Sequence, residues 1–128
     1  MKRITALCLV ILFILTGCGG NGVKTNTYTQ ISQEEARRMM DENEQAIILD
    51  VREQDEYDAG HIPGAVLLPV GRIDEASAGA AISAKDTVVL VYCRSGNRSK
   101  TASGKLAELG YTAVYEFGGI NTWPYETE

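Results

Sequence analysis

Residues 93–99 combine the side chains in this sequence that are best suited to chemistry. They follow residues 87–92 (TVVLVY), an apolar run that predicts a buried strand. They lead into residues 99–109, whose pattern and following glycine predict a helix. We therefore expect a loop at the carboxyl end of a strand, where open parallel sheets bind their ligands. The loop consists of Cys93, Arg94, Ser95, Gly96, Asn97, Arg98 and Ser99.

Cys93 is the candidate nucleophile of this loop. A helix that begins after the loop directs unpaired N–H groups and the positive end of its dipole towards the sulfur, which lowers the pKa of a thiol. Arg94 and Arg98 add positive charge, and Gly96 permits backbone conformations that let successive N–H groups turn inwards. These features predict a cradle for a reactive sulfur and for the anion that attacks or leaves it.

The segments around the loop alternate between strand and helix signals, and a last short helical segment ends near Trp123. A capping-box pattern at Ser32 and Glu35 marks the start of the first helix. The alternation predicts an α/β domain with a mostly parallel sheet and helices on both faces. Strands are expected at residues 28–31, 46–51, 65–68, 87–92 and 112–117, and the later helices at 53–59, 72–81 and 99–109.

The first residues resemble an export signal and not a part of the fold. Lys2 and Arg3 precede a nearly unbroken apolar run of 12 residues, 4–15. That length is too short for a membrane-spanning helix and suits the core of a signal peptide. The run leads into Leu-Thr-Gly-Cys at 15–18. This segment resembles the lipobox of bacterial lipoproteins, in which cleavage precedes a cysteine that receives lipid.

We therefore predict a signal peptide at residues 1–17 and a lipidated Cys18 that begins a flexible tether, 18–27, before a domain at 28–126. The protein is then expected at the cell membrane, anchored by lipid such as palmitate on the extracytoplasmic face. The alternative is an N-terminal core helix that contains a cysteine. Four nearby glycines argue against that helix. They are Gly17, Gly19, Gly20 and Gly22.

Charge and cysteine content exclude several classes of function. The formal net charge is −5, and loss of residues 1–17 leaves 10 basic against 17 acidic side chains, a net charge of −7. An acidic chain without a basic run is a poor nucleic-acid binder. With Cys8 removed and Cys18 lipidated, Cys93 is the remaining free thiol, so no internal disulfide can form. One histidine and one usable cysteine cannot build a metal cage, and nothing indicates an organic cofactor, so we expect neither.

The loop resembles the active-site loop of rhodanese-type sulfurtransferases, here C-x-x-G-x-R-S. Two further stretches are similar to the signatures of that family, and the resemblance extends from about residue 28 to residue 124. The chain is thus identified as a single-domain, thiosulfate sulfurtransferase-like rhodanese on a bacterial lipoprotein. The signatures are LDVRE at 49–53, EY at 56–57 and GHIPGA at 60–65, then GY at 110–111, FGG at 117–119 and Trp123.

The resemblance implies that Cys93 forms a persulfide. Backbone N–H groups of residues 94–99 would then surround the outer sulfur. Arg98 would rim the pocket and hold an anionic donor such as thiosulfate, whereas Arg94 occupies a position that varies within the family.

The resemblance also implies supporting roles outside the loop. Asp50 and Arg52 resemble scaffold residues that pair near the site. His61, the only histidine, is interpreted as part of a turn beside the site, because an already acidic thiol has little need of a base.

The length of the loop separates this chain from related families. Phosphatases and arsenate reductases of similar architecture have a loop of seven residues that resembles C-x-x-x-x-x-R. The corresponding loop here, from Cys93 to Arg98, has six residues. The smaller ring suits one sulfur atom bonded to the cysteine, so a phosphatase-like hydrolase is disfavoured. An inactive binding domain is disfavoured because the nucleophile is present.

We therefore expect a sulfurtransferase that works by covalent ping-pong catalysis. Its partners would be a small sulfur-containing anion as donor, a thiol or cyanide-type acceptor, and the membrane through the N-terminal lipid. The open alternative is a lipid-anchored sulfur-carrier or redox-sensing module with little independent turnover.

Overall fold

The computed structural model describes residues 27–128. The predicted signal peptide, the predicted lipidation at Cys18 and all but the last residue of the predicted tether lie outside the described residues. Within 27–128, none of the helices combines the length and the apolar character needed to cross a bilayer.

The centre of the fold is a five-stranded sheet in which every described pairing is parallel. The order across the sheet is β1-β5-β4-β2-β3, so the chain crosses over repeatedly between neighbouring strands. This arrangement confirms the predicted α/β class. The strands are β1 (Thr29–Gln30), β2 (Ile47–Asp50), β3 (Val66–Leu67), β4 (Val89–Cys93) and β5 (Val114–Gly119).

Helices fill the crossovers and begin at identifiable caps. The Ser32 side chain accepts a hydrogen bond from the Glu35 N–H at 3.0 Å, which caps the first helix. Asp74 caps the third helix through the Ser77 N–H at 2.7 Å. The helices are α1 (Gln33–Glu42), α2 (Gln54–Ala59), α3 (Glu75–Ala81) and α4 (Asn97–Glu108), with 3₁₀ turns at Val70–Arg72 and Ile120–Thr122.

Most element boundaries differ from the sequence expectation by one to three residues, and two of these differences are helix starts with an identifiable cause. The third helix is shorter than the predicted 72–81, because the chain after Pro69 first forms the 3₁₀ turn Val70–Arg72. The fourth helix begins at Asn97, two residues before the expected Ser99. The helix therefore starts inside the candidate loop, and its first N–H groups lie closer to Cys93 than the sequence pattern suggested.

Strand β4 has a core on each side. Val89, Val91 and Cys93 pack with residues of α3 and α4, whereas Leu90 and Tyr92 pack with Ala36 of α1 and its neighbours. All five residues of β4 are at most 1% exposed. Each fully buried apolar side chain of this size contributes about 1.5–3 kcal/mol to folding. The candidate nucleophile is therefore the last residue of a strand that is buried on both faces.

Candidate active site

Gly96 shapes the loop after β4. Its φ of 101° and ψ of −4° lie in the left-handed region, which favours glycine, and helix α4 begins at the next residue. This turn brings the Gly96 N–H to 3.0 Å from the Cys93 Sγ, to which it donates a hydrogen bond. One backbone donor of the loop is thus directed at the sulfur.

Cys93 is 1% exposed and its thiol donates to the Ser99 Oγ at 3.4 Å. Burial raises the pKa of the Cys93 thiol, whereas a hydrogen bond that the Ser99 hydroxyl can donate to the thiolate lowers it. The N–H groups of Ser99, Gly96 and Ser95 lower it further, so the pKa lies below that of an ordinary thiol. The loop therefore favours a thiolate through hydrogen bonds from its own atoms.

The buried carboxylate of Glu116 accepts a hydrogen bond from Ser99. The Ser99 hydroxyl donates to Glu116 Oε1 at 2.7 Å, and the Gly118 N–H donates to the same oxygen at 2.9 Å. Glu116 lies on β5 and is 3% exposed. The sequence reasoning assigned it no role. An acidic residue inside the apolar run 114–117 was the available signal, because carboxylates are rarely buried without a partner.

Arg98 lies at the start of α4 and faces Glu56 of α2. Its two terminal nitrogens donate to the two carboxylate oxygens of Glu56 at 2.7 and 2.8 Å. This paired contact with Arg98 lowers the pKa of Glu56 to about 2. The guanidinium expected to hold an anion therefore already has a carboxylate partner, which the sequence pattern did not reveal.

Arg94 is the more available cation of the loop. Its side chain is exposed, and no carboxylate among residues 27–128 lies within 4.0 Å of its guanidinium. Its carbonyl accepts a hydrogen bond from the Asn121 N–H at 3.2 Å, which ties the loop to the turn after β5. Ser95 and Asn97 are also exposed. A cleft of about 360 Å³ beside the loop is lined by Arg52, Glu56, Ala59, Arg94, Ile120 and Asn121.

Gly119 allows the loop to approach β5. The sheet register shifts after Val91, so that Cys93 lies opposite Gly119. A Cβ atom on Gly119 would lie 2.0 Å from the Arg94 carbonyl oxygen and 2.6 Å from the Ser95 nitrogen. The close approach of two backbones therefore requires glycine at this position, and this requirement explains one residue of the FGG segment.

Asp50 and Arg52 form a buried ion pair, with 2.7 Å between Arg52 Nη2 and Asp50 Oδ2. The Tyr92 hydroxyl donates to the same carboxylate oxygen at 2.6 Å. Arg52 also donates to the Gly60 carbonyl at 2.7 Å. The pair thus links the turn after α2 to Tyr92, the residue that precedes Cys93.

His61 stacks on Tyr57, with ring centroids 3.8 Å apart and an angle of 3° between the planes. Its Nδ1 lies 2.9 Å from the Tyr57 carbonyl oxygen. Its backbone exchanges two hydrogen bonds with Glu128, at 2.9 and 2.8 Å. The histidine therefore joins a turn to the last described residues, and no hydrogen bond connects it to Cys93 within 27–128.

Comparison with known proteins identifies the family. Residues 32–125 match the rhodanese-like domain. The thiosulfate sulfurtransferase GlpE of Coxiella burnetii is 38% identical over 97 residues, which cover 75% of this chain and 87% of GlpE. YrkF, a candidate sulfur carrier protein of Bacillus subtilis, is 30% identical over 117 residues. That match covers 91% of this chain but 62% of YrkF, so the chain spans less than two thirds of that relative.

A solved structure supports the same assignment. A rhodanese from E. coli, determined with anions, superposes with a TM-score of 0.61 at 30% sequence identity. The superposition covers 65% of this chain and 96% of the E. coli protein. With the parallel sheet, the cysteine loop and these matches in agreement, the chain belongs to the rhodanese-like domain family.

Proposed function

We propose that this protein is a sulfurtransferase that moves sulfane sulfur from a donor such as thiosulfate to a thiophilic acceptor through a persulfide on Cys93. The observation that carries the proposal is the Cys93 sulfur at the end of β4, 3.0 Å from the Gly96 N–H donor. Its lowered pKa suits a nucleophile at neutral pH. The names of relatives as thiosulfate sulfurtransferases support the same chemistry.

The proposed reaction has two displacement steps. The Cys93 thiolate attacks the outer sulfur of thiosulfate, a new sulfur–sulfur bond forms, and sulfite leaves with the electron pair of the broken bond. The outer sulfur then carries the negative charge of the persulfide. We propose that backbone N–H groups of residues 94–99 stabilise this charge. An acceptor thiolate or cyanide attacks that outer sulfur, and Cys93 leaves as a thiolate.

Arg94 and Arg98 are proposed to serve this reaction differently. Arg94 borders the cleft beside the loop without a carboxylate partner among the described residues, so it binds the donor anion directly. Arg98 neutralises the Glu56 carboxylate near the sulfur through their paired contact. Asp50 and Arg52 keep the loop in position through their contact with Tyr92.

Steady-state kinetics with thiosulfate and cyanide test the proposal. Repeated turnover with ping-pong kinetics supports the transferase. Sulfur loading of Cys93 without repeated turnover supports the alternative of a sulfur carrier, which the name of YrkF also suggests. Absence of loading by thiosulfate and by other sulfane-sulfur donors would contradict both.

Replacing Arg98 by alanine is expected to raise the apparent pKa of the Cys93 thiol and to slow sulfur uptake from thiosulfate about ten- to a hundredfold. The change removes a cation and leaves the Glu56 carboxylate unpaired. The unpaired Glu56 carboxylate then disfavours the negatively charged transition state. An effect of about 1.5–3 kcal/mol, the size of one charged hydrogen bond, corresponds to roughly one to two decades in rate. The pH dependence of Cys93 alkylation and the rate of persulfide formation measure the two effects.

Two further variants control the Arg98 experiment. Adding Glu56→Gln to Arg98→Ala should recover part of the pKa change, because the unpaired negative charge is then also removed. His61→Gln should lower thermal stability and leave the thiol pKa nearly unchanged, since His61 contacts Tyr57 and Glu128. A larger pKa change in His61→Gln than in Arg98→Ala would contradict these assignments.

We also propose that Cys18 is lipidated and anchors the protein at the cell membrane. The proposal rests on the lipobox-like sequence at 15–18. Two or more acyl chains anchor a protein stably, whereas a single chain does not. Cys18→Ser is expected to leave an uncleaved precursor without lipid, which gel mobility and detergent partitioning detect. A variant that is processed and partitions like the wild type would overturn the anchor.

A further inference from the structure

The Ser99 hydroxyl lies between two groups that compete for its single proton. On one side the Cys93 Sγ is 3.4 Å away, and on the other side Glu116 Oε1 is 2.7 Å away. Cys93, Ser99 and Glu116 are 1%, 0% and 3% exposed. Water therefore has little access to the three groups. The Gly118 carbonyl oxygen, 3.5 Å from the hydroxyl, is a third and more distant acceptor.

The shorter contact determines where the proton points. A hydrogen bond to a carboxylate is stronger than one to a neutral thiol. The Ser99 hydroxyl therefore donates to Glu116 and offers a lone pair to the Cys93 S–H, as the two distances indicate. A lone pair stabilises the thiol. The thiolate needs the opposite orientation, in which the hydroxyl donates to sulfur and leaves Glu116 with only the Gly118 N–H.

We propose that Glu116 is a positioning residue, whose carboxylate holds the Ser99 hydroxyl proton away from the Cys93 sulfur and thereby favours the thiol over the thiolate. The loop N–H groups favour the thiolate, so Glu116 opposes them and moderates the reactivity of the nucleophile. This role refines the proposed sulfur transfer. Its biological use rests on that proposal, whereas its test does not, because the test measures the pKa of the Cys93 thiol.

The other charged groups around the site are either paired with each other or exposed to solvent. Arg98 and Glu56 neutralise each other, and Asp50 and Arg52 do the same. Lys100 of α4 borders the same cleft as Glu116 but is exposed, and α1 contributes the neutral Gln33 there. Arg94 is exposed on the outer side of the loop. Among the described residues, Glu116 is thus the carboxylate that contacts a hydrogen-bond partner of the Cys93 sulfur.

Glu116→Gln provides the first test. The amide oxygen can still accept from the Gly118 N–H, but it carries no charge and holds the Ser99 hydroxyl proton more weakly than a carboxylate does. The hydroxyl can therefore turn and donate to the sulfur. The apparent pKa of Cys93, measured by iodoacetamide alkylation of the whole protein against pH, should fall by about one unit. Alkylation below that pKa should then be about tenfold faster. An unchanged or higher pKa overturns the proposal.

Two further variants separate positioning from a simple effect of charge. In a Ser99→Ala background, Glu116→Gln should change the thiol pKa far less, because the connecting hydroxyl is absent. Glu116→Asp keeps the charge but withdraws the carboxylate from Ser99 by one methylene, and it should lower the pKa as Glu116→Gln does. If Glu116→Gln acts equally well without Ser99, or Glu116→Asp leaves the pKa at the wild-type value, the carboxylate acts through its charge alone and the proposal fails.

The readouts keep this inference separate from the proposed function. Thermal melts identify any variant that does not fold, and Glu116→Asp is the conservative substitute if Glu116→Gln is such a variant. Alkylation requires no sulfur donor. If the Glu116 and Ser99 variants change the thiol pKa as expected but the protein takes up no sulfur from thiosulfate, only the proposed sulfurtransferase is overturned. If the protein takes up sulfur but the variants do not change the thiol pKa as expected, only the role of Glu116 is overturned.

Discussion

Cys93→Ser is expected to abolish sulfur uptake from thiosulfate and to leave the fold intact. A serine hydroxyl stays protonated at neutral pH and cannot displace sulfite, whereas the thiol of Cys93 has a lowered pKa. Serine is close to cysteine in size and finds the same donors at the loop, so β4 should keep its packing. After thiosulfate treatment and alkylation, the wild-type peptide that contains Cys93 should gain the mass of one sulfur atom, and the variant peptide should gain none.

The other two cysteines act as internal controls in this measurement. Peptides that contain Cys8 or Cys18, where they are present in the purified protein, should show no sulfur that cyanide removes. The gain at Cys93 should be lost on treatment with cyanide or with a reductant. A cyanide-sensitive sulfur adduct that persists in Cys93→Ser would place the nucleophile on another residue and would contradict the mechanism.

Gly119→Ala is expected to disrupt the loop although Cys93 itself is unchanged. The backbone of Gly119 is extended, with φ −133° and ψ 154°, so alanine can adopt the conformation. The new methyl group would nevertheless lie 2.0 Å from the Arg94 carbonyl oxygen, and backbone atoms cannot move aside as a flexible side chain does. Overpacking of this kind costs about 1–3 kcal/mol. The melting temperature should fall, and persulfide formation should slow by at least as much as in Arg98→Ala.

Gly104→Ala is the matched control. Gly104 lies inside α4, and nothing lies within 4 Å of a Cβ built there. Alanine in a helix interior is favoured over glycine by about 1 kcal/mol, so this variant should be more stable and should take up sulfur at the wild-type rate. Equal melting temperatures and equal uptake for Gly119→Ala and the wild type would show that the loop does not depend on this close approach.

The sequence predicted the fold well because its signals are local. The apolar run before Cys93 and the alternation of strands and helices depend on residues near each other in the chain, and so does the cap at Ser32. Element ends were less certain. The fourth helix starts at Asn97 because left-handed Gly96 forms its cap without a side chain, and no side-chain pattern marks such a start.

The site was predictable only where its parts are close in sequence. The loop from Cys93 to Ser99 is contiguous, and the partners Asp50 and Arg52 are two residues apart. Glu56 and Arg98 are 42 residues apart, and Ser99 and Glu116 are 17 apart. Pairings across such distances depend on the strand order and on the exact side-chain directions, which a single sequence does not specify.

The sulfur of Cys93 belongs both to the hydrophobic core and to the reactive loop. A group attached to that sulfur therefore contacts the protein in the folded state and is exposed to solvent in the unfolded state. Thermodynamic linkage then couples the two processes: attachment changes the free energy of unfolding, and folding changes the equilibrium constant of attachment by the same amount. A mutation that changes the contacts of the folded loop with the attached group therefore changes the stability of the loaded protein and the equilibrium of transfer together. A mutation in the distant core that destabilises the loaded and free forms equally leaves that equilibrium unchanged.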